Sequence, residues 1–356
     1  MSIDLNHYDY LLPDRLISLH PRQDRSSSRM LVSDKGSIID SRVADIASFL
    51  NPGDLVLFND TRVIPARING QRMPRLNSSI AVNVSATLLD EESPGIWSAL
   101  IKPKRRLKDG DLVKFSKDGS KEEIAAIVRH NEQKSILLDF NLPKKELLDL
   151  LMDIGNMPIP PYLEKVRGPS VSDFSNYQTT FAKREGAVAA PTASLHFDQS
   201  TFETLKCNGI NFSFVTLHVG AGTFLPVTRE QLLKRKLHKE YGKVSKSVAD
   251  QINKAKKNGK RVIAVGTTTL RLIESAVNSK GIVEEFDGAT QLMISPGFSF
   301  KVCDNLLTNF HLPKSSLLML VSTFHGHQRI KKIYEHAIKN EYKFYSFGDC
   351  MLISMI

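Results

Sequence analysis

Between about Ile64 and Asp139 the chain is cut into short alternating runs, and this texture restricts its fold more than any other feature. Ile80-Ala-Val-Asn-Val-Ser-Ala-Thr-Leu-Leu89, Trp97-Ser-Ala-Leu-Ile101 and Leu112-Val-Lys-Phe115 alternate apolar with polar residues and are separated by Gly, Pro, Asp and Asn. A period of two with turn residues in between describes strands that bury one face, and a set of them makes a small β domain, closed as a barrel. On either side the pattern changes. Asn51-Pro-Gly-Asp is a turn that launches the buried run Leu55-Val-Leu-Phe58, which polar Asn59-Asp60-Thr61-Arg62 interrupts. Pro143 opens a helix that runs to Met152 and stops at Gly155. Beyond it the spacing predicts helices over 200–206, 229–240 and 244–257 and strands over 212–219 and 261–266, an α/β alternation. No internal repeat or low-complexity tract is present.

With 356 residues and 41% hydrophobic content the chain has enough material for two or three domains, or for one large core carrying an insertion. Its 48 Lys and Arg against 38 Asp and Glu leave a formal charge of +10, which points toward a polyanionic partner such as nucleic acid. No apolar run approaches the roughly 20 residues of a membrane span. The first residues lack a basic stretch followed by an apolar core, so no secretory signal is expected. Cys207, Cys303 and Cys350 have no paired spacing, which argues against a disulfide framework or a thiolate metal cage. A cytoplasmic protein with no membrane association is expected.

Two segments combine histidine with backbone-permissive residues: Gly186-Ala-Val-Ala-Ala-Pro-Thr-Ala-Ser-Leu-His196-Phe and Val215-Thr-Leu-His218-Val-Gly-Ala-Gly222-Thr-Phe. In the second, an apolar run ends in an imidazole and two glycines, which permit close ligand approach. Either histidine can be a core residue satisfied by backbone carbonyls, or a group displayed at an element's end as acid or base. Arg261-Val-Ile-Ala-Val-Gly-Thr267-Thr268-Thr269-Leu-Arg271 reads as strand, tight turn and threonine-capped helix, whose free amides suit a carboxylate or phosphate. Neither glycine segment completes a dinucleotide fingerprint, and no P-loop occurs. His325-Gly-His327 is the one close histidine pair, without a carboxylate-flanked helical pair, so no metal is expected. His238-Lys-Glu240-Tyr241 reads as the end of a basic helix. Lys102-Pro-Lys-Arg-Arg-Leu-Lys108 puts five cations into a loop of the β domain, and with Trp97 nearby to stack on a base it reads as an RNA contact.

The runs Val56 to Arg67, Gly186 to Phe197, Val215 to Phe224, His238 to Tyr241, Ile263 to Arg271, Thr308-Asn309-Phe-His311-Leu-Pro313 and Ser346-Phe-Gly348-Asp349 resemble, in order and over the full length, the S-adenosylmethionine:tRNA ribosyltransferase-isomerase family of the queuosine pathway. The resemblance implies a mixed α/β fold, with a large α/β catalytic domain (1–63 and 145–356) interrupted by a small antiparallel β-barrel domain (64–144) that contacts tRNA. It implies a monomer that binds S-adenosylmethionine as co-substrate, with no bound cofactor and no metal. Its other substrate would be a tRNA bearing the 7-aminomethyl-7-deazaguanine wobble base. The implied reaction moves and rearranges the ribosyl group to give epoxyqueuosine-tRNA and releases adenine and methionine. A base would take a proton from the ribose carbon beside the sulfonium, with His218 first and His196 second as candidates and Asp60 and Glu240 as carboxylate alternatives. Asp60 or a histidine would protonate the departing adenine. Gly220, Gly222, Thr223, Thr267, Thr268, Arg271, Asn309 and His311 would bind substrate, with Thr267, Thr268 and Arg271 on the methionine carboxylate. Arg62, Arg67, Lys102, Lys104, Arg105 and Arg106 would contact the tRNA backbone.

The chain departs from the family pattern at Asn77-Ser-Ser-Ile-Ala-Val-Asn83, where relatives carry Gly-Gly-Lys, an apolar residue and Glu, and also at Ser295 and His325. Two other classes compete with the resemblance. A bare RNA-binding module would account for the charge and the β domain but not for the histidine and glycine segments. A methyltransferase would bind the same sulfonium but release a different product.

Overall fold

In the computed structural model, which describes residues 3–34, 36–75, 80–117, 119–131, 135–220, 222 and 227–356, strands Asn211–Leu217, Leu55–Asn59, Val262–Val265 and Asn305–Asn309 lie side by side and parallel. Every residue of Leu55–Asn59, Val262–Val265 and Asn305–Asn309 is buried, because the sheet is covered on both faces there; such strands read as unbroken apolar runs. Antiparallel Lys236–Val244 and then Phe286–Leu292 extend the sheet on one side. Cys350–Ser354, Arg29–Ser33 and Ile39–Arg42 complete nine strands on the other.

The period of two along Asn211–Leu217 sorts the covering helices. Phe212 and Phe214 point to helix Gln199–Cys207, where Phe202 packs 4.9 Å from Phe212 and 5.0 Å from Phe58 between ring centroids. Ser213 points the other way and donates to Gln251 of helix Lys246–Lys257 at 2.5 Å. Helix Thr267–Ser275 lies on that second face, close over Gly242. A Cβ at Gly242 would stand 2.6 Å from Leu272 Cδ1 and 2.9 Å from Leu217 Cδ1.

The nine-stranded sheet belongs to a unit formed by Met1–Arg62, Gln178–Arg184 and Ala190–Ile356. Val63–Tyr177 and Glu185–Ala189 form a second unit built on a closed six-stranded antiparallel barrel. Its order is Ile136–Asp139, Ile96–Lys102, Val82–Ser93, Arg67–Arg72, Leu112–Ser116 and Glu123–His130, the last pairing back to the first. The alternating runs thus form the expected barrel, with Val84, Ala86, Leu88, Val113, Phe115 and Val128 in its core. Helix Lys144–Ile154 adds Leu147, Leu151 and Ile154 to the same core. Helices Lys144–Ile154, Pro161–Arg167 and Asp173–Asn176 therefore go with the barrel, whereas the resemblance implies that everything from 145 onward belongs to the larger domain.

Two expectations are corrected. Trp97 is 2% exposed inside the barrel core, so it offers no face to a base. The helix expected over 229–240 ends at Lys234, where Arg235 takes a left-handed conformation (φ 49°), and Lys236–Val244 is a strand with partners on both sides. Lys, Leu and Glu favour helices, but two open strand edges supply more hydrogen bonds and burial than a solvated helix end would.

Gly242→Ala is expected to lower stability by about 1–3 kcal/mol through overpacking against Leu217 and Leu272. Urea unfolding measures it, and an unchanged midpoint would show that the helix is not held at contact distance.

Candidate active site

The carboxyl ends of the four parallel strands are where an open α/β sheet offers a crevice to ligands, above all where successive connections leave a strand in opposite directions. Leu55–Asn59 is such a strand, flanked by Asn211–Leu217 on one side and Val262–Val265 on the other. At its end Asn59 is fully buried. Its Oδ1 accepts from the amides of Leu217 (2.9 Å) and Thr61 (3.2 Å), and its Nδ2 donates to the Leu217 carbonyl (2.9 Å). The Asp60 carbonyl is taken by the amides of Lys183 and Arg184. In the sequence Asn59 stands out only as the polar residue that ends the apolar run Leu55-Val-Leu-Phe58, and that position is the signal that marks it.

This clamp aligns three side chains. Asp60, half-buried, accepts from the Thr216 hydroxyl at 2.6 Å. The Thr61 hydroxyl is 2.8 Å from His218 Nδ1 and 3.4 Å from the Arg184 carbonyl. His218, also half-buried, donates its own amide to the Tyr241 carbonyl. Asp60, Thr61 and His218 are thus held at the ends of two adjacent strands.

The other candidate base positions are engaged differently. Glu240, 8% exposed on strand Lys236–Val244, is ion-paired with Arg271 and accepts from the Gly220 amide at 3.3 Å. Arg271 is therefore committed to Glu240 rather than offering an open fork to a carboxylate. His196 lies beyond the two intervening strands, in the 3-10 helix Thr192–His196. There Asn309 Nδ2 donates to its Nε2 at 3.2 Å and to the Tyr345 carbonyl at 3.1 Å. His311 is 3.1 Å from Thr308 Oγ1. Burial lowers His196 to about 4, with Asp349 opposing and Arg22 and Arg25 assisting, and burial lowers His311 to about 3. Both are neutral core histidines at pH 7. His325 is equally internal, between the Ser33 hydroxyl at 3.0 Å and the Ser354 carbonyl at 2.6 Å.

Helix Thr267–Ser275 begins at the end of Val262–Val265, but its cap is Gly266 (φ 89°) and not a threonine, so no cap side chain bonds to its first turn. The buried Thr268 hydroxyl has no hydrogen-bond partner among the described residues. Gly222 faces the ring of His238, where a Cβ would come within 2.7 Å of Cδ2. Thr223 and residues 77–79 lie outside the described residues. No group of three or more His, Cys, Asp or Glu among the described residues is placed to hold a metal.

In the barrel unit the cations sort into two sets. Arg67 forms a two-pronged pair with Glu164 at 2.5 and 2.6 Å, which holds that carboxyl below its usual range, so Arg67 is not an open RNA contact. Arg75 grips Asp111 at 2.7 Å and donates to the Arg106 carbonyl, anchoring the turn Lys104–Arg106. Lys102, Lys104, Arg105, Arg106 and Lys108 are exposed, and none has an ion pair among the described residues. In the sheet unit Arg62 is exposed and donates to the Ala182 carbonyl at 3.4 Å.

Residues 5–353 match the model of the family described as queuosine biosynthesis protein. The chain belongs to that family. A relative from Ruegeria pomeroyi, named S-adenosylmethionine:tRNA ribosyltransferase-isomerase, is 47% identical over 98% of this chain and 99% of its own. A Caulobacter vibrioides relative of the same name is 44% identical, covering 98% of each. A crystal structure of S-adenosylmethionine tRNA ribosyltransferase from Thermotoga maritima superposes with a TM-score of 0.54 and 30% identity, covering 98% of this chain and 99% of that one. As a member of the queuosine biosynthesis family the chain is an enzyme. No helix among its described residues is long and apolar enough to cross a membrane.

The neutral histidines set a pH dependence. Unfolded imidazoles take up protons below about 6.5, whereas folded His196 and His311 do so only near about 4 and about 3. Stability is therefore full above that upper value and falls as pH drops through the window, by about 1.4 kcal/mol per pH unit for each histidine. Urea midpoints measured against pH are expected to show a shallower slope in His196→Gln and in His311→Gln. Slopes unchanged in both variants would place the sensitivity elsewhere.

Proposed function

We propose that the chain transfers and isomerises the ribosyl group of S-adenosylmethionine onto the aminomethyl group of the 7-deazaguanine wobble base of tRNA, releasing adenine and methionine. The observation that carries this is the alignment of His218, Thr61 and Asp60 at the carboxyl ends of two adjacent parallel strands, with a helix that has no side-chain cap starting at the end of the next strand. His218 and that N-terminus are two strand spacings apart, about 10 Å. That distance suits a methionine chain with a hydrogen bond at its carboxylate and its ribose near the imidazole.

In this reading the amides of Thr267 and Thr268 and the Thr268 hydroxyl, which has no partner among the described residues, take the methionine carboxylate. Arg271 supports them through Glu240 without touching the ligand. When the Thr61 hydroxyl donates to the Arg184 carbonyl it accepts from His218 Nδ1, and Nε2 then carries the lone pair a base requires. His218 removes a proton from the ribose carbon beside the positive sulfur, which is already acidic. The carbanion expels the ring oxygen from the neighbouring carbon, that oxygen becomes an aldehyde as the C–N bond to adenine breaks, and His218 passes the proton it took to the leaving ring. The tRNA amine then adds to the carbon that lost the ring oxygen and gives up a proton to the imidazole, the carbanion regenerated beside sulfur bonds to the aldehyde carbon, and the resulting alkoxide closes the epoxide as the C–S bond breaks and methionine leaves. His196, Glu240 and His311 stay outside these steps. The monomer and the cytoplasmic location belong to the same reading, and the exposed Lys102, Lys104, Arg105 and Arg106 take tRNA phosphates.

Adenine and methionine are expected in equal amounts from S-adenosylmethionine and a tRNA carrying the aminomethyl base. His218→Ala should abolish adenine release by at least about a hundredfold, the scale of general-base catalysis, and leave tRNA binding intact. Release of S-adenosylhomocysteine instead would make the enzyme a methyltransferase, and near-normal turnover of the variant would remove His218 from the mechanism.

Reversing charge at Lys104, Arg105 and Arg106 is expected to weaken tRNA binding and flatten its salt dependence by roughly 0.7–0.9 in log–log slope for each phosphate no longer neutralised. An unchanged slope would move the RNA footprint off this turn.

A further inference from the structure

The strand that sequence pattern misread as a helix carries a feature the mechanism above does not use. Lys239, Tyr241 and Lys243 are spaced by two along Lys236–Val244, and all are exposed, while Glu240, Gly242 and Val244 between them are buried against the helix side. The pairing Thr216↔Lys243 and Leu217↔Gly242 places His218 opposite Tyr241, and the His218 amide donates to the Tyr241 carbonyl at 2.9 Å. Residues directly opposite on antiparallel strands share a face, so the Tyr241 ring stands on the same side of the sheet as the His218 imidazole. On the next strand Tyr241 faces Ala289, which is too small to cover it.

Tyr241 is 52% exposed, and it is the one exposed Phe, Tyr or Trp among the described residues. Its orientation is set. The phenol donates to Asp287, which also takes the Lys243 ammonium at 2.7 Å. An aromatic ring fixed at its tip, open on its face and flanked by cations is the arrangement that stacks a nucleobase while the lysines take its phosphates. Asp287 neutralises part of this charge, yet Lys239 has no ion pair among the described residues, and Arg184 is near enough to Lys243 to repel it. The balance favours a polyanion.

We propose that Tyr241 is the platform on which the reacting wobble base of the RNA stacks, which sets its amine beside the ribose handled by His218. This rests on the reaction proposed above and adds to it the place of the second substrate. The phenol keeps its proton, because the Asp287 carboxylate and partial burial raise it above its ordinary range.

The test uses the full chain and anticodon stem-loop RNAs carrying 2-aminopurine either at the wobble position or at its 3′ neighbour. Tyr241→Leu should weaken RNA binding roughly 5- to 150-fold, the scale of one base–aromatic stack, and leave the KM for S-adenosylmethionine unchanged, whereas Tyr241→Phe should bind within about twofold of wild type. Wobble-position fluorescence should be quenched by wild type and Tyr241→Phe but not by Tyr241→Leu. Leucine at 241 binding RNA like wild type would overturn the platform. So would equal losses in the Phe and Leu variants, which would assign the role to the hydroxyl, and so would quenching confined to the neighbour probe. These outcomes concern binding, so they stand apart from failure of the reaction itself, which wild-type product analysis detects.

Discussion

The candidate site hangs on the side-chain amide of Asn59. A parallel ladder ends where its strands diverge, and buried backbone groups beyond that point must find partners or cost several kcal/mol in lost hydrogen bonding. Asn59 supplies them by matching one amide to both the N–H and the C=O of Leu217. The consequence is positional. Asp60 is turned toward Thr216 and Thr61 toward His218, because the chain between them is tied to strand Asn211–Leu217 instead of following its own sheet direction. An aspartate at 59 could not donate to Leu217, and a leucine could neither donate nor accept, so the chemistry of the neighbouring three side chains depends on a residue that performs none of it.

The two faces of the sheet divide the work. On the helix side Glu240 and Arg271 form a buried pair, and removal of one partner from such a pair strands a charge at a cost of about 3–5 kcal/mol. That cost makes the pair a support for Gly220 and for helix Thr267–Ser275. On the opposite face Asp60 and His218 are half-buried and Tyr241 exposed, as suits groups that must meet a substrate. The histidines at 196 and 311 show the reverse arrangement. Full burial removes their charge, and their bonds to Asn309 and Thr308 serve the end of strand Asn305–Asn309.

How much was legible in the sequence follows from which forces leave a pattern. The parallel strands were visible because burial on both faces demands continuous apolar residues, and the barrel because burial on one face demands alternation. Strand Lys236–Val244 left neither signature. Its inward positions are Glu240, neutralised by Arg271, Gly242, kept small by Leu272 and Leu217, and Val244, so its buried face shows a single apolar side chain at its far end. Helix propensity then decided the reading, and Tyr241 was placed at a helix end. Candidate site residues were recognised by type and motif, but their engagement was not. Nothing in the composition around Arg67 or Arg271 distinguishes an arginine held by a carboxylate from one left open, since Glu164 lies far along the chain from Arg67, and Glu240 lies on a strand well before the helix that carries Arg271.

That distinction governs what the charge of +10 means. Cations paired at short range are screened from a distant polyanion and contribute structure, as Arg67, Arg75 and Arg167 do within the barrel unit through Glu164, Asp111 and Asp173. Among the exposed cations without an ion pair among the described residues are those of the turn that carries Lys104, Arg105 and Arg106, and Lys239 two residues from Tyr241. A counterion atmosphere on RNA is released by such unpaired groups and hardly at all by paired ones. The Arg75–Asp111 pair holds the turn in place while removing its own charge from the count. The same economy operates at Tyr241, where Asp287 surrenders part of the local charge to orient a ring. In both places one ion pair fixes the geometry and its unpaired neighbours supply the field, which is why sequence-wide charge suggested a partner class yet could not locate the surface that meets it.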